Sequence, residues 1–301
     1  MRKATKILLI LSLFLILAGS LLFGGALTVA EWNWNIFSTS HYETVVHEID
    51  EPVTAVSVVV GTADVTLIPS EDGKITVTGY EQVNLKNAVE VKDGALTIKL
   101  VDTRKWYEHI GIHFEQPTVT VALPQGAYDA LSLTLSTGDV MIPADFSFAS
   151  ILVKTSTGDV TCLASAEGTI SIGTDTGDIT VGSVSAGAMA LSVNTGRIKA
   201  TGVNCNDFTS TGNTGDLSLK NVIATGKLSV KRTTGDVIFD GCDASEIFVN
   251  TNTGDVKGTL LSKKDFYTNT STGRIIVPQT RSGGRCEITT STGDIKIEIK
   301  E

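Results

Sequence analysis

Several kinds of chemistry are missing from this chain. It has no CxxC pair, no Ser–His–Asp order, no P-loop and no dinucleotide fingerprint. Its four cysteines, Cys162, Cys205, Cys242 and Cys286, are widely scattered, so zinc and thioredoxin-type sites lack their ligand spacing. A basic patch is also absent. Residues 31–301 hold 21 Lys and Arg against 33 Asp and Glu, a net charge of −12. That balance excludes an electrostatic grip on nucleic acid, and on anionic lipid beyond any anchor. Aromatic residues make up only 6% of the chain. Phe146 with Phe148, and Trp106 with Tyr107, are the few candidates for the exposed apolar patch that a protein partner would need.

Charge is missing altogether from Ile7 to Ala30, a run of 24 residues. As a helix it is long enough to cross a hydrocarbon core of about 30 Å. Arg2, Lys3 and Lys6 precede it and Glu31 follows, which predicts a cytoplasmic N-terminus and a chain lying outside the cytoplasm from there on. Trp32, Trp34 and Phe37 suit an aromatic belt at the outer interface. The alternative is a signal peptide cleaved after Thr28-Val29-Ala30, but a signal core is usually shorter, about 7–15 residues. The expected layout is therefore a cytoplasmic tail (1–6), a retained single-pass membrane anchor (7–30), a juxtamembrane linker (31–44), degenerate first rungs and a cap (45–130), and regular repeats (131–301).

What the chain does have is a repeat. Ser136-Thr137-Gly138-Asp139-Val140 recurs in nine copies whose glycines are Gly138, Gly158, Gly177, Gly196, Gly215, Gly235, Gly254, Gly273 and Gly293, spaced 19 or 20 residues apart. Threonine precedes every one of these glycines, and an aliphatic residue always lies two positions after, from Val140 to Ile295. Seven positions before, every copy is apolar, from Leu131 to Cys286. Five before, only Ser210 and Thr268 depart from that rule. Four after, the column runs from Ile142 to Ile297 with a gap at Gly258. Each copy thus holds two short runs of period-two alternation whose inward parity changes across the glycine. A coil turning a corner does this, and the prediction is an all-β fold: a single-chain β-solenoid, or β-helix, with rungs of 19–20 residues stacked about 4.8 Å apart. A third side also faces partly inward through Val184, Val203, Val222, Cys242 and Leu261. No two cysteines share a column in neighbouring rungs, so free, mostly buried thiols are expected.

Upstream, Val56, Val58, Val60, Thr62-Ala63-Asp64-Val65 and Leu67 fit the same template, with Ala63 in the glycine place. Val89 to Leu100 reads as a hairpin turning at Asp93-Gly94. At the other end, Ile295 to Glu301 alternates aliphatic and charged residues, as a last strand with an open edge would. The Val-x-Val-x-Leu-Pro strand from Val119 to Pro124, followed by rungs of the form apolar-x-apolar-x-x-x-Thr-Gly-Asp-aliphatic, resembles the putative-adhesin family of domain of unknown function 4097 over roughly residues 45–301. The resemblance implies a bacterial β-solenoid, often membrane-anchored and linked to the cell envelope, with no catalytic residues to carry over.

After glycine the copies read Asp139, Asp159, Asp178, Arg197, Asp216, Asp236, Asp255, Arg274 and Asp294. Stacked carboxylates about 5 Å apart in water repel by roughly 1 kcal/mol. The leading reading is geometric: glycine supplies the turn, Asp and the preceding Ser or Asn accept hydrogen bonds from turn amides, and each Arg relieves its neighbours, Asp178/Asp216 and Asp255/Asp294. Calcium is the rival, with Asp139/Asp159/Asp178 and Asp216/Asp236/Asp255 as its oxygens. Against calcium, calcium-binding β-rolls repeat every nine residues on both turns, and here only one turn per rung is acidic. Catalysis needs two carboxylates in distinct environments, which equivalent turns do not provide. The stretch Glu108-His109-Ile110-Gly111-Ile112-His113-Phe114-Glu115 puts both histidines on one strand face, where a metal would still lack a third ligand.

Together these observations predict a non-enzymatic, cofactor-free, extracytoplasmic scaffold in a bacterial envelope, structural or adhesive in role. Its partners would be the membrane, a wall polymer or an envelope protein, and further copies joined at the solenoid ends. The alternatives are a regulatory module on a membrane stress sensor and a calcium-binding solenoid.

Overall fold

Residues 3–32, 41–105 and 115–300 are described by the structure, a computed structural model. The first element is one helix, α1 (Lys3–Val29). Within Thr5–Val29 an 18-residue window has a mean hydropathy of 2.7, and the large apolar side chains from Ile7 to Phe23 are exposed. A helix apolar all round is suited to lipid, and this one is long and apolar enough to cross a membrane. Trp34 and Phe37 of the expected interfacial belt lie outside the described residues, as do Trp106, Tyr107 and the His109/His113 pair.

Everything else described is β-structure in a single sheet system. The central rungs follow the chain. β8 (Gly126–Thr137) turns at Gly138 into β9 (Val140–Ile142). β10 (Phe146–Thr157) turns at Gly158 into β11 (Val160–Cys162), and short β12 (Ser165–Ala166) leads to β13 (Thr169–Thr176). Then come four long strands that each bend round the third side: β14 (Ile179–Thr195), β15 (Ile198–Thr214), β16 (Leu217–Thr234) and β17 (Val237–Thr253). Successive rungs pair in parallel with the pre-glycine threonines in register, Thr137 on Thr157, then Thr176, Thr195, Thr214, Thr234 and Thr253. The inward columns form one continuous buried core, so the period-two pattern is the direct image of the packing. The result is a β-solenoid of about nine turns.

Glycine is required at each turn for two reasons. Gly158 has φ of 141°, and a Cβ there would lie 2.0 Å from the carbonyl oxygen of Gly138 in the rung below. The same close approach recurs from turn to turn.

Stacking departs from chain order at both ends. At the far end, β18 (Val256–Leu260) is followed by β19 (Lys264–Thr272), β20 (Ile275–Ile276), β21 (Gly284–Thr292) and β22 (Ile295–Ile299). β21 pairs with β17 on one side and β19 on the other, and β22 lies between β18 and β20. The final rung in sequence is thus inserted, and the rung before it is outermost. This corrects the expectation that Ile295 to Glu301 forms an open edge. Ile295 and Ile297 are buried, because a rung covers each side of them.

The near end is built in the same way. β2 (Ala55–Thr62) and β3 (Asp64–Pro69) form a rung directly against β8 and β9, with Thr62 on Thr137 and Val65 on Val140. Below it lie β6 (Ala95–Asp102) and β7 (Thr118–Leu123), both parallel to it. The chain then reverses: β5 (Leu85–Lys92) is antiparallel to β6, and β4 (Ile75–Gln82) and β1 (Tyr42–Ile49) are antiparallel additions beyond β7. The Asp93-Gly94 hairpin turn is present, with positive φ at both residues as a type I′ turn demands. Degenerate rungs therefore account for only part of this region, and antiparallel strands close the end.

Two further expectations need correction. Leu261 is 44% exposed, and Leu260 takes the place beside Cys242 instead, because the ladder shifts by one residue between Phe239 and Cys242. Phe146 and Phe148 are buried with Tyr128, whose ring lies 6.2 and 5.8 Å from theirs, so they pack the core and form no surface patch. The polar exception Ser210 has a cause in the next rung. Arg232 is buried above it, with Nη2 3.3 Å from Ser210 Oγ, and the missing side chain of Gly212 leaves room for the guanidinium. Its Nε and Nη1 have no hydrogen-bond partner, and burial pushes its pKa down to about 10.

Candidate functional site

The nine residues after the turn glycines do form a column, and the structure gives each carboxylate a partner. The amide of Asp159 donates to Asp139 Oδ1 at 2.8 Å, that of Asp178 to Asp159 Oδ1 at 2.7 Å, and that of Arg197 to Asp178 Oδ1 at 2.8 Å. Further on, Asp236 donates to Asp216, Asp255 to Asp236, Asp294 to Asp255, and Arg274 to Asp294, at 2.8–2.9 Å. The series begins one rung earlier than the nine copies, since Asp64 Oδ1 accepts from the amide of Asp139 and from Gln116 Nε2. These bonds run between rungs, not within a turn as the Asx-turn expectation had it. Each carboxylate receives an N–H that the parallel ladder leaves free at the corner, and a charge-assisted bond of this kind is stronger than a neutral one.

The second carboxylate oxygen is used selectively. Arg197 places Nε and Nη2 3.1 and 2.9 Å from Asp178 Oδ2, and Arg274 does the same to Asp294 Oδ2 at 3.0 and 2.7 Å. Lys257 Nζ lies 2.8 Å from Asp236 Oδ2. The Arg274 amide and then its side chain hold the Asp294 carboxyl below the usual carboxylate range. Burial pushes Asp236 upward, but the bonds from Lys257 and from the Asp255 amide outweigh it and leave that carboxyl lowered. Arg274 does not sit between Asp255 and Asp294 as its place in sequence suggests. The end rearrangement makes it the outermost member of the column, with Asp294 stacked on Asp255.

Among the described residues, no three His, Cys, Asp or Glu side chains converge on a position that could hold a metal ion. All four cysteines are free and buried. Burial pushes the thiols of Cys162 and Cys286 up to about 12 and that of Cys205 to about 11, which suppresses the reactive thiolate.

Two surface depressions lie on the same rungs, either side of the turn corner. One, of about 490 Å³, runs over the strands before the turn; its lining combines small and hydroxylated residues such as Ser171, Gly173, Ser192, Thr209 and Thr211 with aliphatic Ile172 and Leu191, and includes Lys154 and Asp175. The other, of about 290 Å³, lies just after the turn and is lined by Asp178, Thr180, Arg197, Lys199, Asp216 and Ser218. Sequence reasoning singled out neither Lys199 nor these hydroxylated residues. The available signal was the interruption of the aspartate column at Arg197.

The parallel stack, the inter-rung aspartates and the antiparallel end define a class of protein: a single-chain β-solenoid following a helix long and apolar enough to span a membrane. The chain belongs to the Toastrack DUF4097 family, whose model matches residues 53–221 and 189–301. No curated protein matches it in sequence. Among solved structures it is similar to a "putative lipid binding protein" from Parabacteroides distasonis, with a TM-score of 0.50, 13% identity, and coverage of 87% of this chain and 98% of that one. It is also similar to a "putative adhesin" from Bacteroides fragilis, with a TM-score of 0.48, 15% identity, and coverage of 86% and 97%. At 13% identity the likeness to the first of these establishes the fold alone.

Proposed function

We propose that this protein is a non-enzymatic envelope scaffold. In this reading α1 is a retained anchor with its N-terminus in the cytoplasm, and the solenoid stands outside and binds a wall polymer along its side. One observation carries the reading: the open depression lined by hydroxylated and small residues across neighbouring rungs, from Ser171 and Gly173 to Thr209 and Thr211, outside a continuous buried core. Hydroxyls interspersed with small residues, Ser171, Ala190 and Thr209 in one row and Gly173, Ser192 and Thr211 in the next, make an open face that suits an extended glycan better than a compact substrate. The basic N-terminal flank agrees with the orientation.

The test is co-sedimentation of the full chain, in detergent, with purified bacterial cell walls, with and without a calcium chelator. Binding in both conditions is the expected result. Binding lost in chelator would make the aspartate column a metal site, and no binding in either condition would sink wall attachment. A second reading, a regulatory contact with a membrane protein, has its own observation. The outermost rung leaves Tyr267, Ile275 and Ile276 exposed. Cross-linking the chain in intact membranes would reveal such a partner.

A further inference from the structure

The aspartate series misses at one interior position. Eight of the nine column amides donate to the carboxylate of a neighbouring rung, and the amide of Asp216 does not. The residue beneath it is Arg197, which has no acceptor to offer. Arg197 turns the other way and occupies Asp178 Oδ2. That choice has a second effect. Lys199 and Lys257 stand at the same place in their rungs, three after the glycine. Lys257 pairs with the aspartate of the preceding rung, Asp236, at 2.8 Å. For Lys199 the equivalent carboxylate is Asp178, already taken by Arg197, and Lys199 forms no ion pair among the described residues. An unmatched backbone N–H and an unmatched ammonium group therefore border one notch of about 290 Å³. In strand register Lys199 lies between Thr180 and Ser218, whose hydroxyls complete the lining.

We propose that this notch binds a carboxylate carried on a hydroxylated ring, a sugar acid of the uronic class. The ligand carboxylate occupies the slot that an aspartate fills in the regular rungs. It accepts from the Asp216 amide and pairs with Lys199, while Thr180 and Ser218 meet the ring hydroxyls. The flanking acids do not close the slot to an anion. Asp178 is neutralised by Arg197, and Asp216 Oδ1 accepts the Asp236 amide. Every regular rung already holds a carboxylate between two others in this way. The inference rests on the wall-polymer reading and narrows it to an acidic polymer entering at this corner.

Calorimetric titration of the full chain in detergent with galacturonate, galactose, acetate and inorganic phosphate tests it, run beside the cell-wall sedimentation. Saturable binding of galacturonate, with the other three much weaker, is expected. Lys199→Gln should weaken galacturonate roughly tenfold or more. Arg197→Asp installs a carboxylate in the slot and should abolish binding while leaving the melting temperature equal or higher. Acetate or phosphate binding as well as galacturonate overturns the ligand class. An Arg197→Asp protein, or a Lys199→Gln protein, that binds like the wild type overturns the location. Failure of galacturonate while walls still sediment the protein overturns this inference alone, whereas failure of both brings down the wall reading with it.

Discussion

The two ends of the solenoid solve the same problem differently. A parallel coil that simply stops leaves its last core layer uncovered and its last strands unpaired. At the N-terminal end the chain reverses direction, and antiparallel β4 and β5, with β1 beyond β4, cover the final parallel layer, so Leu96, Ile98 and Val121 are buried as completely as mid-stack residues. At the C-terminal end no reversal occurs. The outermost rung carries Thr268 where most rungs are apolar, ends the aspartate series with Arg274, and leaves Ile275 44% exposed in a column where Ile295 is 0% exposed. One end is closed by added strands, and the other stays partly open, with Thr268 and Arg274 as its polar members. In both, a rung distant in sequence is slotted inside the outermost layer, which ties the edge to the stack through a chain connection.

The sharpest way to break this comparison is a matched pair in one column. Ile295→Ala should cost about 2–5 kcal/mol, because a rung on each side prevents collapse around the cavity. Ile275→Ala should cost less than about 1 kcal/mol. Urea unfolding followed by circular dichroism compares them, and equal costs would show that the outermost rung is better covered than its exposure indicates.

Next in size is the buried arginine of the middle rungs. Arg232→Met should stabilise by about 1–3 kcal/mol, since it removes a desolvated charge with two unsatisfied donors. The sign with pH follows from the lowered pKa. The folded chain releases this proton near pH 10, before the unfolded chain does, so wild-type stability rises with pH from there. The gap between variant and wild type should therefore narrow above about pH 10, read from melting temperatures across pH.

Smaller again is one step of the aspartate series. Asp159→Ala should lose about 1 kcal/mol by stranding the Asp178 amide, detectable as a shift in urea midpoint. Smallest is the acid response. Asp236 and Asp294 have folded pKa values below their ordinary 3.8, so their contribution is complete above that value and is lost as pH falls through the lowered values. Destabilisation of the stack below about pH 4, relieved in part in Asp294→Asn, is the expected melting profile.

Much of this was legible beforehand because a solenoid writes its packing into a period. The invariant glycines, the apolar columns and the upstream match at Thr62 to Val65 each identify a rung without reference to any other rung. The purpose of the aspartates was only half legible. Their column followed from the period, but an acceptor reaching across to the next rung looks the same in sequence as one serving its own turn. Lys199 was invisible for a related reason, since it matters only through the carboxylate that Arg197 takes from it.

By itself, then, the sequence determined the parallel coil, its inward faces, its turn chemistry and an N-terminal helix apolar enough for a membrane. Local residue types and a fixed period suffice for those. Only the tertiary structure decided which rung lies on which. Every rung presents nearly the same columns and the same threonine register, so the template accepts Cys286 between Ile247 and Phe266 as readily as after Phe266. Chain order could not choose between these stackings. The stacking adopted covers one end with a reversed hairpin layer and leaves outermost, at the other, the rung that carries Thr268 and Arg274.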